Sequence, residues 1–425
     1  MKKVSIITLG CKVNQYESNA IGKQLEDAGF EVVHSLEPAD IYIVNTCAVT
    51  NEAEKKSRGV IAKIKKISNI ADIYICGCSS QNDHSKFENY QNIKAIYGTS
   101  SKLNIAKHII ENNLKSVIVD CNISSTFQDM GIAKGDRTRV VIKIQEGCNN
   151  FCSYCLIPYL RGRERSRTLD SIVKELDIHT KSCKEVVFTG INLSNYGKEF
   201  NNNTTLLTIA QLMKEKYPQT RFRFSSLEQD IISEEFLTIL SKCENFAPHF
   251  HLSLQSGCDK TLKFMNRKYT TDDFYNKITL IRKHFNNPAI TTDVIVGFPT
   301  ETEEDFEQTY SFVKKCAFAK THIFPYSKRT GTLASKMKNV ATNVKERAKK
   351  LGELDNILHK NYIISCQNKD YTAIVEVENE EFYEAHTENY IKCYIDKNIP
   401  LKQNQEIRIQ ILQPYKDGAL VKIIN

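Results

Sequence analysis

Gly147-Cys148-Asn149-Asn150-Phe151-Cys152-Ser153-Tyr154-Cys155 is the stretch around which the rest of the chain can be ordered. Three cysteines separated by three and then two residues can close around one metal centre from a single loop. They are one thiolate short of the four that complete a zinc or iron site. The next cysteine is Cys183, so no fourth ligand follows nearby. A four-iron cluster held this way keeps one iron open to another ligand. On spacing alone the alternative is a structural zinc loop that borrows a distant fourth ligand. The loop comes directly after the apolar run Arg139-Val140-Val141-Ile142-Lys143-Ile144, which places it at a strand's carboxyl end.

Five more apolar runs follow, at 185–189, 221–225, 251–254, 290–296 and 322–326. Stretches of helical spacing lie between them, among them 169–180, 271–284 and 303–315. Six such βα units predict an incomplete parallel (β/α)6 barrel over 134–365, with chemistry at the carboxyl ends of its strands. Those ends carry Thr189-Gly190-Ile191-Asn192, Ser225-Ser226-Leu227-Glu228, Gln255-Ser256-Gly257 and Gly297-Phe298-Pro299-Thr300-Glu301. Glycine lets a ligand approach the backbone, and a carboxylate or amide can hold an ammonium or a ribose hydroxyl.

Upstream, residues 1–117 alternate strand and helix in the manner of a doubly wound α/β domain, with helices expected over 19–28 and 52–67. Three of its strands run straight into a cysteine: Leu9-Gly10-Cys11, Asn45-Thr46-Cys47 and Gly77-Cys78. In a parallel sheet these ends share one edge, so Cys11, Cys47 and Cys78 form a second candidate triad, again one ligand short. Cys76 belongs to the strand core. Cys121, Cys183, Cys243, Cys316, Cys366 and Cys393 have no partner pattern and read as packing residues.

Polar residues 122–136 read as a linker. Arg161, Arg163, Arg165 and Arg167 crowd the segment after the cysteine loop and suit phosphate gripping, against the plainer reading of a solvated loop. The lysine-rich helix 52–67 reads first as a solvated face. After a helical stretch at 341–366, the end of the chain alternates at period two, at 371–377, 391–395, 406–412 and 419–423. This predicts a small antiparallel β-barrel over 366–425, OB-like, of a kind that binds oligonucleotides. Glu376, Glu378, Glu380, Glu381, Glu384 and Glu388 make it more acidic than an RNA-binding surface should be.

The 425 residues, 41% hydrophobic and 25% charged, have an ordinary globular composition without internal repeats. A net charge of +8 permits a nucleic-acid partner without requiring one. Without a membrane-length apolar run or a cleavable leader, a cytoplasmic protein is expected. In that reducing compartment 14 cysteines point to metal ligation, not disulfides.

The loop Cys148, Cys152, Cys155 with Tyr154 resembles the signature of radical S-adenosylmethionine enzymes. Thr8-Leu9-Gly10-Cys11-Lys12-Val13-Asn14-Gln15-Tyr16-Glu17, Asn45-Thr46-Cys47, Gly77-Cys78, Gly147 through Gly162 and His251-Leu252-Ser253-Leu254-Gln255-Ser256-Gly257 extend the resemblance to the methylthiotransferases. The terminal module is similar to their TRAM domain. Lys12-Val13-Asn14-Gln15 and Phe324-Pro325-Tyr326-Ser327 most resemble the branch acting on tRNA N6-threonylcarbamoyladenosine beside the anticodon. The resemblance implies S-adenosylmethionine and two [4Fe–4S] clusters, one on Cys148, Cys152 and Cys155 and the other on Cys11, Cys47 and Cys78.

By motif position, Tyr154 and Gly297 would lie near the adenine of S-adenosylmethionine, and Thr189 and Gly190 near its ammonium. Ser226, Glu228 and Gln255 would supply the ribose contacts and polar wall. The implied partners are the tRNA anticodon stem-loop and an electron donor such as flavodoxin or ferredoxin, with the protein a monomer. The competing readings are action on isopentenyladenosine or on a ribosomal-protein aspartate, and, in a different class, a non-catalytic iron–sulfur RNA-binding protein.

Overall fold

The computed structural model describes residues 1–90, 92–112, 123–135 and 138–424. Cys121 and the two ends of the expected linker, Asn122 and Asp136, lie outside them.

The first sheet has five parallel strands in the order Glu31–Val33, Lys3–Thr8, Ile41–Thr46, Asp72–Gly77, Ile93–Ile96. Both faces are covered. Tyr16, Ala20, Ile21 and Leu25 pack on one with Ile105 and Ile109, and Ile61 and Ile64 on the other. Only the three inner strands show as apolar runs, because the outer two are short and partly exposed. The first helix is Lys12–Asp27 and begins well before the expected position 19. Its first turns bury Asn14, Glu17 and Ser18 alongside Val13 and Tyr16, so polarity masked the buried face.

The central unit is an open wall of six βα units. Arg139–Lys143, Glu185–Thr189 and Arg221–Phe224 pair in parallel, as do Ser226–Leu227, His249–Gln255, Ala289–Val296 and Lys320–Pro325. The third strand breaks at Ser225, pairing with the second strand before the break and with the fourth after it. Phe188, Phe222, Phe224, Phe246 and Phe250 fill the core between wall and helices. Capping boxes at Thr270/Asp273 and Thr302/Asp305 fix where the helices Thr271–His284 and Glu303–Cys316 begin. The helix Val344–Ser365 is tied to the last strand by Asp355, which accepts from Lys320 Nζ and Thr321 N, both at 2.6 Å.

The terminal module is a closed five-stranded barrel in the order Asp370–Glu378, Phe382–Thr387, Lys392–Asp396, Gly418–Ile423, Glu406–Tyr415. It is not wholly antiparallel as expected: Lys392–Asp396 and Gly418–Ile423 run parallel, and that pairing closes the barrel. Most of its carboxylates are paired. Glu376 pairs with Arg139 and His386, Glu378 with Lys397, Glu381 with Lys416 and Glu384 with Lys392. The module caps the amino ends of the barrel strands. Tyr390 lies under Arg139 and Arg223, and Arg221 donates to the carbonyl of Thr372 at 3.2 Å. Among the described residues no helix is long and apolar enough to cross a membrane.

Candidate active site and its two thiol triads

The loop bearing Cys148, Cys152 and Cys155 is shaped by its backbone. Gly147 has φ +73°, and a Cβ there would lie 1.9 Å from the Arg163 carbonyl oxygen, so only glycine fits. Ser153 N donates to the Met265 carbonyl at 3.0 Å and Asn266 Nδ2 to that of Phe151 at 3.0 Å, which pins the loop to the barrel. Each thiol receives one N–H: Asn150 N reaches Cys148 Sγ, Ile157 N reaches Cys155 Sγ and Arg267 Nη1 reaches Cys152 Sγ, all at 3.4 Å. Arg267 is in turn held by Glu228. Its role had no signal in the sequence, since a lone arginine in Asn266-Arg267-Lys268 belongs to no motif.

The second triad is assembled by sheet topology. Gly10, at φ +109°, allows the first strand's exit to approach the third's so closely that a Cβ there would sit 3.1 Å from Cys47 Sγ. Asn14 Nδ2 donates to the carbonyls of Leu9 at 2.8 Å and Thr46 at 3.1 Å, and Thr46 Oγ1 donates to that of Cys76 at 2.6 Å. These bonds lock together the exits carrying Cys11, Cys47 and Cys78. Val49 N donates to Cys47 Sγ at 3.5 Å, and Arg161 Nε to Cys78 Sγ at 3.2 Å.

Arg161 is 0% exposed and joins the two units. Its guanidinium donates to Asn14 Oδ1 at 2.7 Å, to Glu17 at 3.0 Å and to Glu146; Lys102 and Lys143 complete the network. Burial opposes the charge on Arg161, yet Cys78, Glu17 and Glu146 more than offset it and hold its pKa well above the ordinary value. Burial likewise acts to raise Glu17 and Glu146. Their cationic neighbours prevail, holding Glu17 well below the usual range and Glu146 at about 2.

Burial pushes the thiols of Cys148 and Cys47 up to about 11 and that of Cys155 up to about 12. A metal that takes them as thiolates must displace their protons. Among the described residues neither triad gathers its sulfurs within 4.8 Å of one another; the group that does so is His251, Asp293 and His322. Tetrahedral zinc with bonds of about 2.3 Å needs sulfurs about 3.8 Å apart. Sulfurs set wider than that are not arranged for a single zinc ion. The three-thiol donor sets match a cluster that keeps one iron open.

Between the units lies a cavity of about 960 Å³, lined by Cys11 and Lys12 on one side and by Thr189, Gly190 and Ser226 on the barrel rim. It adjoins a second, of about 880 Å³, that runs down to the terminal module; Lys12, Ser225, Ser226 and His322 line both. Enclosure of Lys12 by these walls, together with the nearby Arg223, lowers its pKa.

The other rim residues are placed differently. Tyr154 packs with Met265, Phe298 and Met337. Gly297 turns its open side onto Val344, where a Cβ would lie 2.5 Å from a valine methyl carbon, so packing alone demands glycine there. Glu228 is engaged by Arg267, and Gln255 adopts φ +68° at the strand end.

Three of the four arginines expected to face RNA are interior. Arg161 serves the buried network, Arg165 donates to the carbonyls of Arg161 at 2.9 Å and Arg163 at 3.0 Å, and Arg167 pairs with Glu175. Charge density along the chain does not report exposure, and these side chains meet carboxylates and carbonyls inside the fold. Arg163 alone is exposed, lying 4.4 Å over the Phe151 ring. Cys258, which belongs to no sequence pattern, is buried, with its thiol 3.5 Å from Asp305.

The Radical SAM superfamily pattern matches residues 142–313, and that of uncharacterized protein family UPF0004 matches residues 3–98. A Bacillus subtilis relative, "Threonylcarbamoyladenosine tRNA methylthiotransferase MtaB", is 35% identical over 100% of this chain and 98% of its own length. The Aquifex aeolicus protein of that name is 37% identical over 92% and 95%. "tRNA-2-methylthio-N(6)-dimethylallyladenosine synthase" of Acetivibrio thermocellus is 34% identical over 87% and 79%. Among solved structures, the radical S-adenosylmethionine methyltransferase TsrM of Kitasatospora setae shares the fold, with a TM-score of 0.57 and 14% identity, covering 79% of this chain and 77% of that one. The chain belongs to the radical S-adenosylmethionine tRNA methylthiotransferases, and S-adenosylmethionine and [4Fe–4S] clusters are its cofactors.

Proposed function

We propose that this protein inserts a methylthio group at C2 of N6-threonylcarbamoyladenosine, on the 3′ side of the anticodon in tRNA. The observation that carries the reading is the cavity between the two units, with Cys11 of one thiol triad on one wall and the barrel rim on the other. The names of relatives matched over 82–100% of the chain support the choice of adenosine.

In this reading Cys148, Cys152 and Cys155 hold the cluster that binds S-adenosylmethionine, and Cys11, Cys47 and Cys78 hold the one nearer the sulfur. The C2–H bond of adenine is not acidic enough for a side-chain base, so the bound cofactors would supply the radical chemistry and the methylthio group that this position requires. The chain itself supplies placement. Arg267 donates to Cys152 and Arg161 to Cys78, so each triad has one sulfur held in place by a guanidinium. Thr189, Gly190 and Ser226 line the space for S-adenosylmethionine and substrate. The terminal module packs on the amino ends of the barrel strands and lines one end of the adjoining cavity.

Arg163 and the exposed Lys55, Lys56, Lys63 and Lys66 are the cations we assign to tRNA phosphates. We further read the protein as a cytoplasmic monomer supplied with electrons by a flavodoxin or ferredoxin, in keeping with 13 unpaired cysteines among the described residues.

Mass spectrometry of nucleosides from tRNA of a deletion strain and its parent tests the reading. Loss of the methylthio form of threonylcarbamoyladenosine, with accumulation of its precursor, is expected. Loss of methylthio-dimethylallyladenosine instead would assign the other adenosine, and unchanged tRNA would overturn the reading.

A further inference from the structure

The lumen between the two units holds an ammonium with nothing to bind. Lys12 follows Cys11 directly and lines both adjoining cavities. Among the described residues no carboxylate or carbonyl accepts from its Nζ. The guanidinium groups on the same walls are committed. Arg139 lies 2.7 Å from Glu185 and also meets Glu376, while Arg223 donates to Glu185 at 3.0 Å and rests 4.0 Å over Tyr390. Asp293, the carboxylate facing this region, is 3.2 Å from His251 Nε2. Among the described residues lining the cavity beside Cys11, where Lys134 pairs with Glu26, Lys12 is therefore the lysine or arginine left to meet an incoming anion.

We propose that Lys12 pairs with the free carboxylate of an amino-acid adduct on N6 of the target adenine, so that the lumen selects an anionic substituent over a neutral one. This rests on the substrate reading above and adds the residue that reads it. In a threonylcarbamoyl group the amino acid is attached through its nitrogen, which leaves its carboxylate ionised at neutral pH. C2 and C6 flank N1 in the six-membered ring, and N6 is the exocyclic nitrogen on C6. An adenine whose C2 is presented to the Cys11 side therefore carries its N6 substituent within reach of the adjacent, long and flexible Lys12.

The energetics discriminate in both directions. A carboxylate replaces the water around the ammonium with a charge-assisted hydrogen bond. A neutral apolar substituent, such as the dimethylallyl group in the names of some relatives, would strip that water and return nothing. Selectivity then arises as much from rejecting the neutral adduct as from binding the charged one.

The test uses cluster-loaded protein and two anticodon stem-loop RNAs, one carrying threonylcarbamoyladenosine and the other its primary amide, which has nearly the same shape without the charge. Conversion is compared as kcat/KM. Wild type is expected to prefer the acid by about tenfold or more, since a charged hydrogen bond contributes about 1.5–3 kcal/mol. Lys12→Met should bring the acid-to-amide ratio close to one, and Lys12→Arg should restore a preference for the acid. General damage to the fold lowers both rates and leaves their ratio unchanged, so the ratio isolates the charge. A wild type that converts acid and amide equally, or a Lys12→Met variant that keeps the wild-type ratio, overturns the role of Lys12 while leaving the substrate reading intact. A wild type that converts neither RNA overturns the substrate reading itself.

Discussion

Cys148, Cys152 and Cys155 share one loop, whereas Cys11, Cys47 and Cys78 come from three strand exits, yet both triads end with one thiol under a paired arginine. The supports differ in depth. Arg267 is 4% exposed and its partner Glu228 is 20% exposed, while Arg161 and Glu17 are both fully enclosed. A local loop obtains proximity from chain connectivity and needs only backbone pins. A scattered triad must hold three strand exits in register, and here a buried network of Asn14, Glu17, Lys102, Lys143, Glu146 and Arg161 does so. Such a site inherits the stability of the whole interface, and the loop site only that of its surroundings.

The largest expected effect separates the triads chemically. Cys152→Ala should abolish reductive cleavage of S-adenosylmethionine, while Cys47→Ala should still release 5′-deoxyadenosine yet form no methylthio product. Anaerobic assays of both products check this, and full product yield from Cys47→Ala would dissolve the distinction. Next come the arginines. Arg161→Met leaves buried carboxylates short of a partner and should destabilise the protein by about 3–5 kcal/mol. Arg267→Met, whose partner reaches water, should cost about 1–3 kcal/mol. Urea unfolding of the two variants measures the difference, and equal losses would break the comparison. The smallest effect concerns RNA. Arg163→Ala should reduce the slope of log K against log salt for tRNA binding by about one or less, whereas Arg165→Ala, already bound to backbone carbonyls, should leave the slope unchanged. Equal changes would mean that burial in this loop does not decide which arginine meets phosphate.

Most of the barrel and the inner strands of the first sheet were legible, because buried parallel strands appear as uninterrupted apolar runs such as Ile41–Val44 and Ile290–Val296. The strand Phe382–Thr387 was hidden by its glutamate, although Tyr383, Ala385 and Thr387 are buried on its inner side. The start of the first helix was hidden by Asn14, Glu17 and Ser18, polar residues buried because Asn14 and Ser18 bond to the strands and Glu17 meets Arg161, Lys102 and Lys143. The loop triad could be read from its spacing alone. The scattered one required only that three cysteines end three strands of one parallel sheet. What the sequence could not disclose was exposure. Arg161-Gly162-Arg163-Glu164-Arg165 reads as a cationic surface, and only tertiary contacts reveal that two of its three arginines face inward.

The 83-residue separation between Cys78 and Arg161 also imposes an order on synthesis. The ribosome delivers all three thiols of the scattered triad before the guanidinium that supports Cys78 exists, and before Lys143 and Arg161 can balance Glu17. The thiols of the first unit stay without Arg161 until the first strand of the barrel and the segment beyond the cysteine loop have docked. Maturation of the protein is thereby tied to the arrival of its second unit, so a truncated chain would present thiols without the charge that steadies them.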